Sequence, residues 1–228
     1  KIEKNDIKKW TPFQRRSHFT FIGNFLHTPN VDAVLLLKNK IWKGIKKQIP
    51  EAEIHIYGAY ATQQILQLHN EKEGFLIKGY TNNPIDIVSN CKVVLAPLRF
   101  GAGIKGKLTE AMLCGTPSVT TTIGAEGMHA DLPWNGFITD DFEDFAIKAV
   151  ELYTDKDLWE QSQKHGIQII NQVYDKVTIG NLFIGRLKLL QKNIEHHRNQ
   201  NFIGSLVQHQ TLQSTKYMSK WIEEKNKN

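Results

Sequence analysis

Between residues 18 and 140 the sequence changes period repeatedly. A short run of β-branched and aromatic residues is followed by a glycine, then by apolar residues at helical spacing. The strand-like runs are 18–22, 53–57, 75–78, 92–96, 118–122 and 136–139, and the first three close on Gly23, Gly58 and Gly79. Val31, Val34, Leu35, Ile41, Trp42, Ile45 and Ile49 recur at spacings that predict an amphipathic helix. It opens at Thr28-Pro29-Asn30, where a capping side chain and a first-turn proline coincide, and ends before Pro50. Shorter helices are predicted over 61–68, 84–89 and 107–113, the last stopped by Gly115 and Pro117. Strands alternating with helices predict a parallel sheet with helices on both faces, and right-handed crossovers make it a doubly wound, Rossmann-like α/β domain. Ligands bind beyond the carboxyl ends of such strands. The turns at Gly23, Gly58, Gly79, 101–106 and 123–128 then share one edge.

After residue 140 the pattern is helical. Asp140 and Asp141 precede one amphipathic segment, and further helices are predicted over 158–173, 177–193 and 202–225. The predicted organisation is a polar, Lys-rich stretch at 1–16, read as a linker or remnant of a preceding domain. A Rossmann-like domain follows at 17–175, then C-terminal helices at 176–228. These helices are expected to pack on that domain or on a missing N-terminal one, with the amphipathic stretch 214–224 as a docking face. Lys1 stands in place of Met and no apolar signal segment follows, so the chain reads as a piece of a longer protein.

Composition narrows the function. Hydrophobic residues make up 40% and charged residues 23%, enough apolar surface to exclude disorder for the bulk of the chain. No apolar run approaches the ~20 residues a bilayer requires. Cys91 and Cys114 make no disulfide framework and read as buried thiols of a reducing, cytoplasmic compartment. Lys and Arg number 29 against 23 acidic residues, a mild excess concentrated partly at the termini and not interleaved with aromatics, so nucleic acid is not an expected partner. The nine His lack zinc-ligand spacing, and no metal is expected. His129, beside Gly127 and Met128, is the one nearest a candidate site. Trp42, Trp134, Trp159 and Trp221 read as packing anchors.

The chemistry concentrates in Leu95 to Met128. A strand runs into a glycine-rich turn and then a helix N-terminus, whose unpaired N–H groups and dipole favour an anion. Gly101, Gly103 and Gly106 allow close backbone approach. Arg99, Lys105 and Lys107 surround the same turn, which makes it a phosphate or diphosphate site. Glu110, one helical turn beyond Lys107, can accept hydrogen bonds from a vicinal diol such as a ribose. Gly101 to Lys107 also fits the spacing of a P-loop, but Leu108 stands where Ser or Thr would hold magnesium. The dinucleotide fingerprint is met only in part.

The segment resembles the donor-binding half of GT-B glycosyltransferases, family 4 (group 1). It carries Glu110-Ala111-Met112, Gly115-Thr116-Pro117-Ser118-Val119, Thr120-Thr121-Thr122 and Ile123 to Met128. Phe21 to Phe25, Ile56 to Gly58 and Lys78 to Tyr80 resemble other turns of that domain, and the likeness spans about 18–175. The resemblance implies a hexosyltransferase of polysaccharide biosynthesis, bacterial in type, that moves sugar from a nucleotide diphosphate sugar with retention. No cofactor is implied beyond that donor substrate. Catalytic roles would fall to Lys105 and Glu110, the latter on the ribose. Lys105, with Lys107 or Arg99, would neutralise the diphosphate beside Gly101 and Gly103, with Gly23 and Asn24 opposite. Gly79 and Tyr80 would lie near the nucleobase, and Gly124, Ala125, Glu126 and Gly127 near the sugar. The acceptor would sit on the missing N-terminal domain, through which any peripheral membrane association would run. Two positions depart from the family: Ala102 where a first glutamate is usual, and Asn24 where an arginine often stands. The alternative readings are a non-catalytic sugar-nucleotide-binding module and, less favoured, a P-loop NTPase.

Overall fold

The computed structural model describes residues 1–227, with the side chains of 209–212 left aside. Six strands form one all-parallel sheet: β1 (Ser17–Ile22), β2 (Ile54–Tyr57), β3 (Phe75–Gly79), β4 (Cys91–Ala96), β5 (Ser118–Thr120) and β6 (Gly136–Ile138). Their order is β3-β2-β1-β4-β5-β6, so the chain winds outward in one direction from β1 and in the other from β4. This is the doubly wound topology the alternation predicts, and it opens a crevice between the carboxyl ends of β1 and β4. These two central strands are buried on both faces through Phe19, Thr20, Phe21, Val93, Val94 and Leu95, which is why β4 reads as a continuous apolar run.

The helices of the sheet domain are α1 (Lys4–Ile7), α2 (Thr28–Leu36), α3 (Trp42–Gln48), α4 (Gln63–Leu66), α5 (Pro84–Asn90), α6 (Gly106–Leu113), α7 (Thr122–Ala125), α8 (Phe142–Thr154) and α9 (Lys156–Val173). The long helix predicted from Val31 to Ile49 is present, but its middle turn, Leu37–Ile41, widens into a π turn that joins α2 to α3. Asp141 caps α8, accepting from the N–H groups of Glu143 and Asp144 at 2.9 and 2.8 Å. The fifth strand ends two residues earlier than its Thr-rich sequence indicates. Thr121 leaves the sheet to cap α7, its hydroxyl accepting from Gly124 N–H at 3.0 Å.

Residues 1–16, read from the sequence as a linker or remnant, pack onto the sheet domain, and the compact unit runs Lys1–Asp175. Ile2 is buried and exchanges hydrogen bonds with Asn171. Trp10 lies against Gly115, where an added Cβ would meet its ring at 2.3 Å. Arg16 is buried without a carboxylate. Its guanidinium donates to the carbonyls of Thr11, Cys91 and Cys114 and to the Thr116 hydroxyl, and stacks 4.9 Å from the Trp159 ring. Trp42, Trp134 and Trp159 are buried anchors, as are the thiols of Cys91 and Cys114.

Residues Lys176–Asn228 form a second unit of three helices, α10 (Lys176–Lys192), α11 (Ile194–Gln200) and α12 (Phe202–Lys225). None of its described side chains is buried. Trp221 is therefore not the packing anchor expected; it is 60% exposed. Among the described residues no helix is long and apolar enough to cross a membrane.

Candidate functional site

The crevice between β1 and β4 is occupied by two loops. The one after β1 carries His27 and leads into Pro29 and Asn30 of α2; the one after β4 runs from Leu98 to Lys105 and leads into α6. Together they enclose a cavity of about 370 Å³ lined by His27, Pro29, Asn30, Leu98, Phe100, Gly101, Ala102, Ile104, Lys105, Gly106 and Lys107. The second loop is fixed from below. Thr120 Oγ1 donates to Ala96 O at 2.8 Å, and Thr121 Oγ1 donates to Leu98 O. Gly101 and Gly103 sit at φ +136° and +73°, conformations that a side chain would strain.

Two lysine side chains line this cavity. Lys105, at the N-cap of α6, is 9% exposed, and its Nζ is buried without a hydrogen-bond partner. Lys107 spans the crevice. Its Nζ donates to Asn30 Oδ1 at 2.5 Å and lies 4.2 Å from the Phe21 ring centre. Burial pushes its pKa down to about 7. Asn30 is itself fixed by donating through Nδ2 to Asn24 O at 2.7 Å. The intrahelical donors of α6 begin at Leu108 and Thr109, both bonding to Lys105 O, so the N–H groups of Gly106 and Lys107 stand ahead of the first turn. Desolvated cations beside a helix N-terminus are a site that an anion completes. Leu108, fully buried, points into the core.

The structure gathers Lys105, Lys107 and Gly101 into one cavity. Gly23 sits behind it, its Cβ direction filled by the Asn30 side chain at 2.8 Å. Other expected residues lie elsewhere. Arg99 is exposed and turned onto Asp32, with Nε–Oδ2 3.0 Å and Nη2–Oδ1 2.5 Å. Glu110 is an exposed helical neighbour of Lys107 and does not line the cavity. Gly79, at φ +76°, ends the edge strand β3 and Tyr80, 70% exposed, follows it, two strands or about 10 Å from β1. Ala125, Glu126 and Gly127 line a second cavity of about 220 Å³ at the end of β5, with Thr122, His129, Ala130 and Ile138. Gly124 is buried beneath it, its absent Cβ replaced by Thr120 Oγ1 at 1.9 Å. His129 Nδ1 is 2.6 Å from Leu132 O.

Sequence reasoning missed Asn30 and Asp32. Asn30 reads as part of a helix cap, but the N-cap is His27 and no side chain caps α2. Asn30 instead orients Lys107. An asparagine has donor and acceptor to link a backbone carbonyl to a lysine, yet nothing in the local sequence distinguishes that use from capping. Among the described residues no group of three or more His, Cys, Asp and Glu side chains could hold a metal ion.

The profile described as "Glycosyl transferases group 1" matches residues 16–155. No curated protein sequence matches the chain. Solved structures share its fold. A mutant of S. aureus TarM, crystallised with fondaparinux, alpha-GlcNAc-glycerol and UDP, superposes with a TM-score of 0.64 at 20% identity, covering 78% of this chain and 36% of that one. HepE of Anabaena, with UDP and glucose, gives 0.58 at 18% identity, covering 82% and 53%. The pneumococcal O-GlcNAc transferase GtfA, with UDP and GlcNAc, gives 0.51 at 18%, covering 76% and 38%. The chain thus spans between about a third and a half of these proteins' length.

Proposed function

The chain belongs to the glycosyl transferases group 1 family, and on that premise we propose that its sheet domain binds a nucleotide diphosphate sugar and holds the diphosphate in the cavity between β1 and β4. The observation that carries this is the buried, unpartnered Nζ of Lys105 beside Lys107 and the start of α6. An uncompensated buried cation is costly, and a diphosphate supplies the missing charge. The carboxyl edge supports the rest of the reading by its order. Tyr80 lies on the β3 side for the base, the cations lie at the centre, and the Glu126 cavity lies on the β5 side for the sugar. Glu110 is the carboxylate available to a ribose diol one turn from Lys107.

Transfer breaks the bond between the sugar C1 and the diphosphate oxygen, which leaves with the electron pair. C1 forms its new bond to an acceptor hydroxyl, whose proton passes to the departing diphosphate oxygen. Lys105 and Lys107 act on the leaving oxygen, where negative charge grows, and their preorganisation lowers the barrier. The acceptor, its binding domain and the retention of configuration are proposed from the family likeness. Calorimetric titration with UDP-, GDP- and ADP-sugars tests the binding step. A saturable signal with one nucleotide class, weakened about tenfold or more in Lys105→Ala, is expected. Absence of any diphosphate-dependent signal overturns the assignment. Slow donor hydrolysis that disappears in Lys105→Ala and Glu110→Ala separates a transferase from an inert binder.

A further inference from the structure

Another cavity lies away from the crevice and shares no lining residue with it. It measures about 590 Å³ and lies between the α2–α3 segment and α8, lined by Lys40, Lys43, Gly44, Lys47, Gln48, Phe142, Glu143, Ala146 and Ile147. Its floor is tight because residue 44 is glycine: an added Cβ would stand 2.9 Å from the Ala146 Cβ. Its apolar wall is Phe142, half-buried, and Ile147, 46% exposed.

The charge of this face is one-sided. Between residues 38 and 47 lie five lysines and no acidic residue. Two are engaged: Lys38 pairs with Glu73 at 2.6 Å, and Lys46 donates to the carbonyls of Pro50 and Ala52. The other three, Lys40, Lys43 and Lys47, are exposed, have no ion pair among the described residues, and are the three that line the cavity. Among the described residues, Glu143 is the one carboxylate that lines this cavity. Flexible ammonium heads over an apolar floor suit a dense, laterally mobile anionic surface whose chains can accept Ile147. They do not suit planar recognition of one carboxylate, for which arginine is the better residue. We propose that the Lys40–Lys43–Lys47 face docks on an anionic phospholipid surface. Asn30 lies ten residues before Lys40 on the same helical segment, so docking holds the crevice roughly 15 Å or more along that axis from the contact face.

Sedimentation of the full chain with vesicles tests this. Pure phosphatidylcholine and phosphatidylcholine containing about one quarter phosphatidylglycerol are compared at low and high salt. Binding to the anionic vesicles alone, lost at high salt and weakened about a hundredfold in K40Q/K43Q/K47Q, is expected. Ile147→Ser should weaken it further at constant charge. Equal binding by wild type and triple variant, equal binding to neutral vesicles, or retention on polyglutamate without vesicle binding overturns the proposal. The three lysines lie outside the crevice, so nucleotide titration of the triple variant reports that site separately, and its circular dichroism and thermal midpoint confirm folding.

Discussion

Lys105 and Lys107 occupy one cavity under different terms, and their substitutions should behave differently. Lys105 holds a buried Nζ with no partner. Removing it as Lys105→Met should raise the thermal midpoint of the free protein, by about 1–3 kcal/mol in stability, while lowering diphosphate affinity. A purely structural lysine would move both in the same direction, so thermal melts with and without UDP decide the point. For Lys107 the sign follows from burial. Its pKa falls from 10.5 in the unfolded chain to about 7. Between those values the unfolded chain holds a proton that the folded one has released, so stability rises with pH from about 7 to about 10.5, falls back over the same range on acidification, and changes no further below about 7 through this group. Lys107→Met should flatten that rise in pH-dependent melts. A bound diphosphate favours the ammonium form, so above pH 7 nucleotide binding should take up a proton, seen in calorimetry as a binding heat that varies with buffer ionisation enthalpy. Equal heats in all buffers at pH 8 would disprove the coupling.

At the scale of elements, the turns at the carboxyl edge contain glycines of two kinds. Gly58, after β2, cannot accept a methyl group, because a Cβ would stand 2.0 Å from Gly23 O and 2.5 Å from Phe25 Cε2. Gly106, at the start of α6, has nothing within 4 Å of its Cβ direction, yet it lines the cation cavity. Gly58→Ala should therefore cost about 1–3 kcal/mol in denaturant melts. Gly106→Ala should leave stability unchanged or raise it by up to about 1 kcal/mol, and weaken diphosphate binding by filling ligand space. If Gly106→Ala binds as well as wild type, that space is not the anion's. The six strands were legible as short runs of β-branched and aromatic residues, and the doubly wound parallel architecture followed from their alternation with helices. The π turn at Leu37–Ile41 was not, since one wide turn leaves a hydrophobic periodicity intact. The premature end of β5 was hidden by threonines that suit a strand and a cap equally well. In the site, the glycine and lysine positions could be read locally. The diversion of Arg99 to Asp32 and the bridge from Asn30 to Lys107 join residues 67 and 77 positions apart, and no local pattern encodes them.

For the whole molecule, stability and length divide at Asp175. Among the described residues, every buried hydrophobic side chain lies between Ile2 and Ile170, and none lies in α10, α11 or α12. The first sixteen residues belong to that core through Ile2, Trp10 and Arg16, although their charge made them read as a linker. Arg16 shows why: burial of an arginine is set by the carbonyls of Cys91 and Cys114, some 75 and 98 residues away. The two termini should thus respond oppositely to truncation. A fragment ending at Asp175 should unfold in one cooperative transition, with a denaturant midpoint close to that of the full chain and an unchanged affinity for its nucleotide. A chain starting at Ser17 strips the pairing from Asn171, the ring from over Gly115 and the guanidinium from the carbonyls of Cys91 and Cys114 and the hydroxyl of Thr116. Buried acceptors left unpaired cost about 1–3 kcal/mol each, so that chain should lose at least about 3 kcal/mol or fail to fold. A Ser17 start that melts with the full chain, or an Asp175 end that does not fold, would place the core elsewhere than between Ile2 and Ile170.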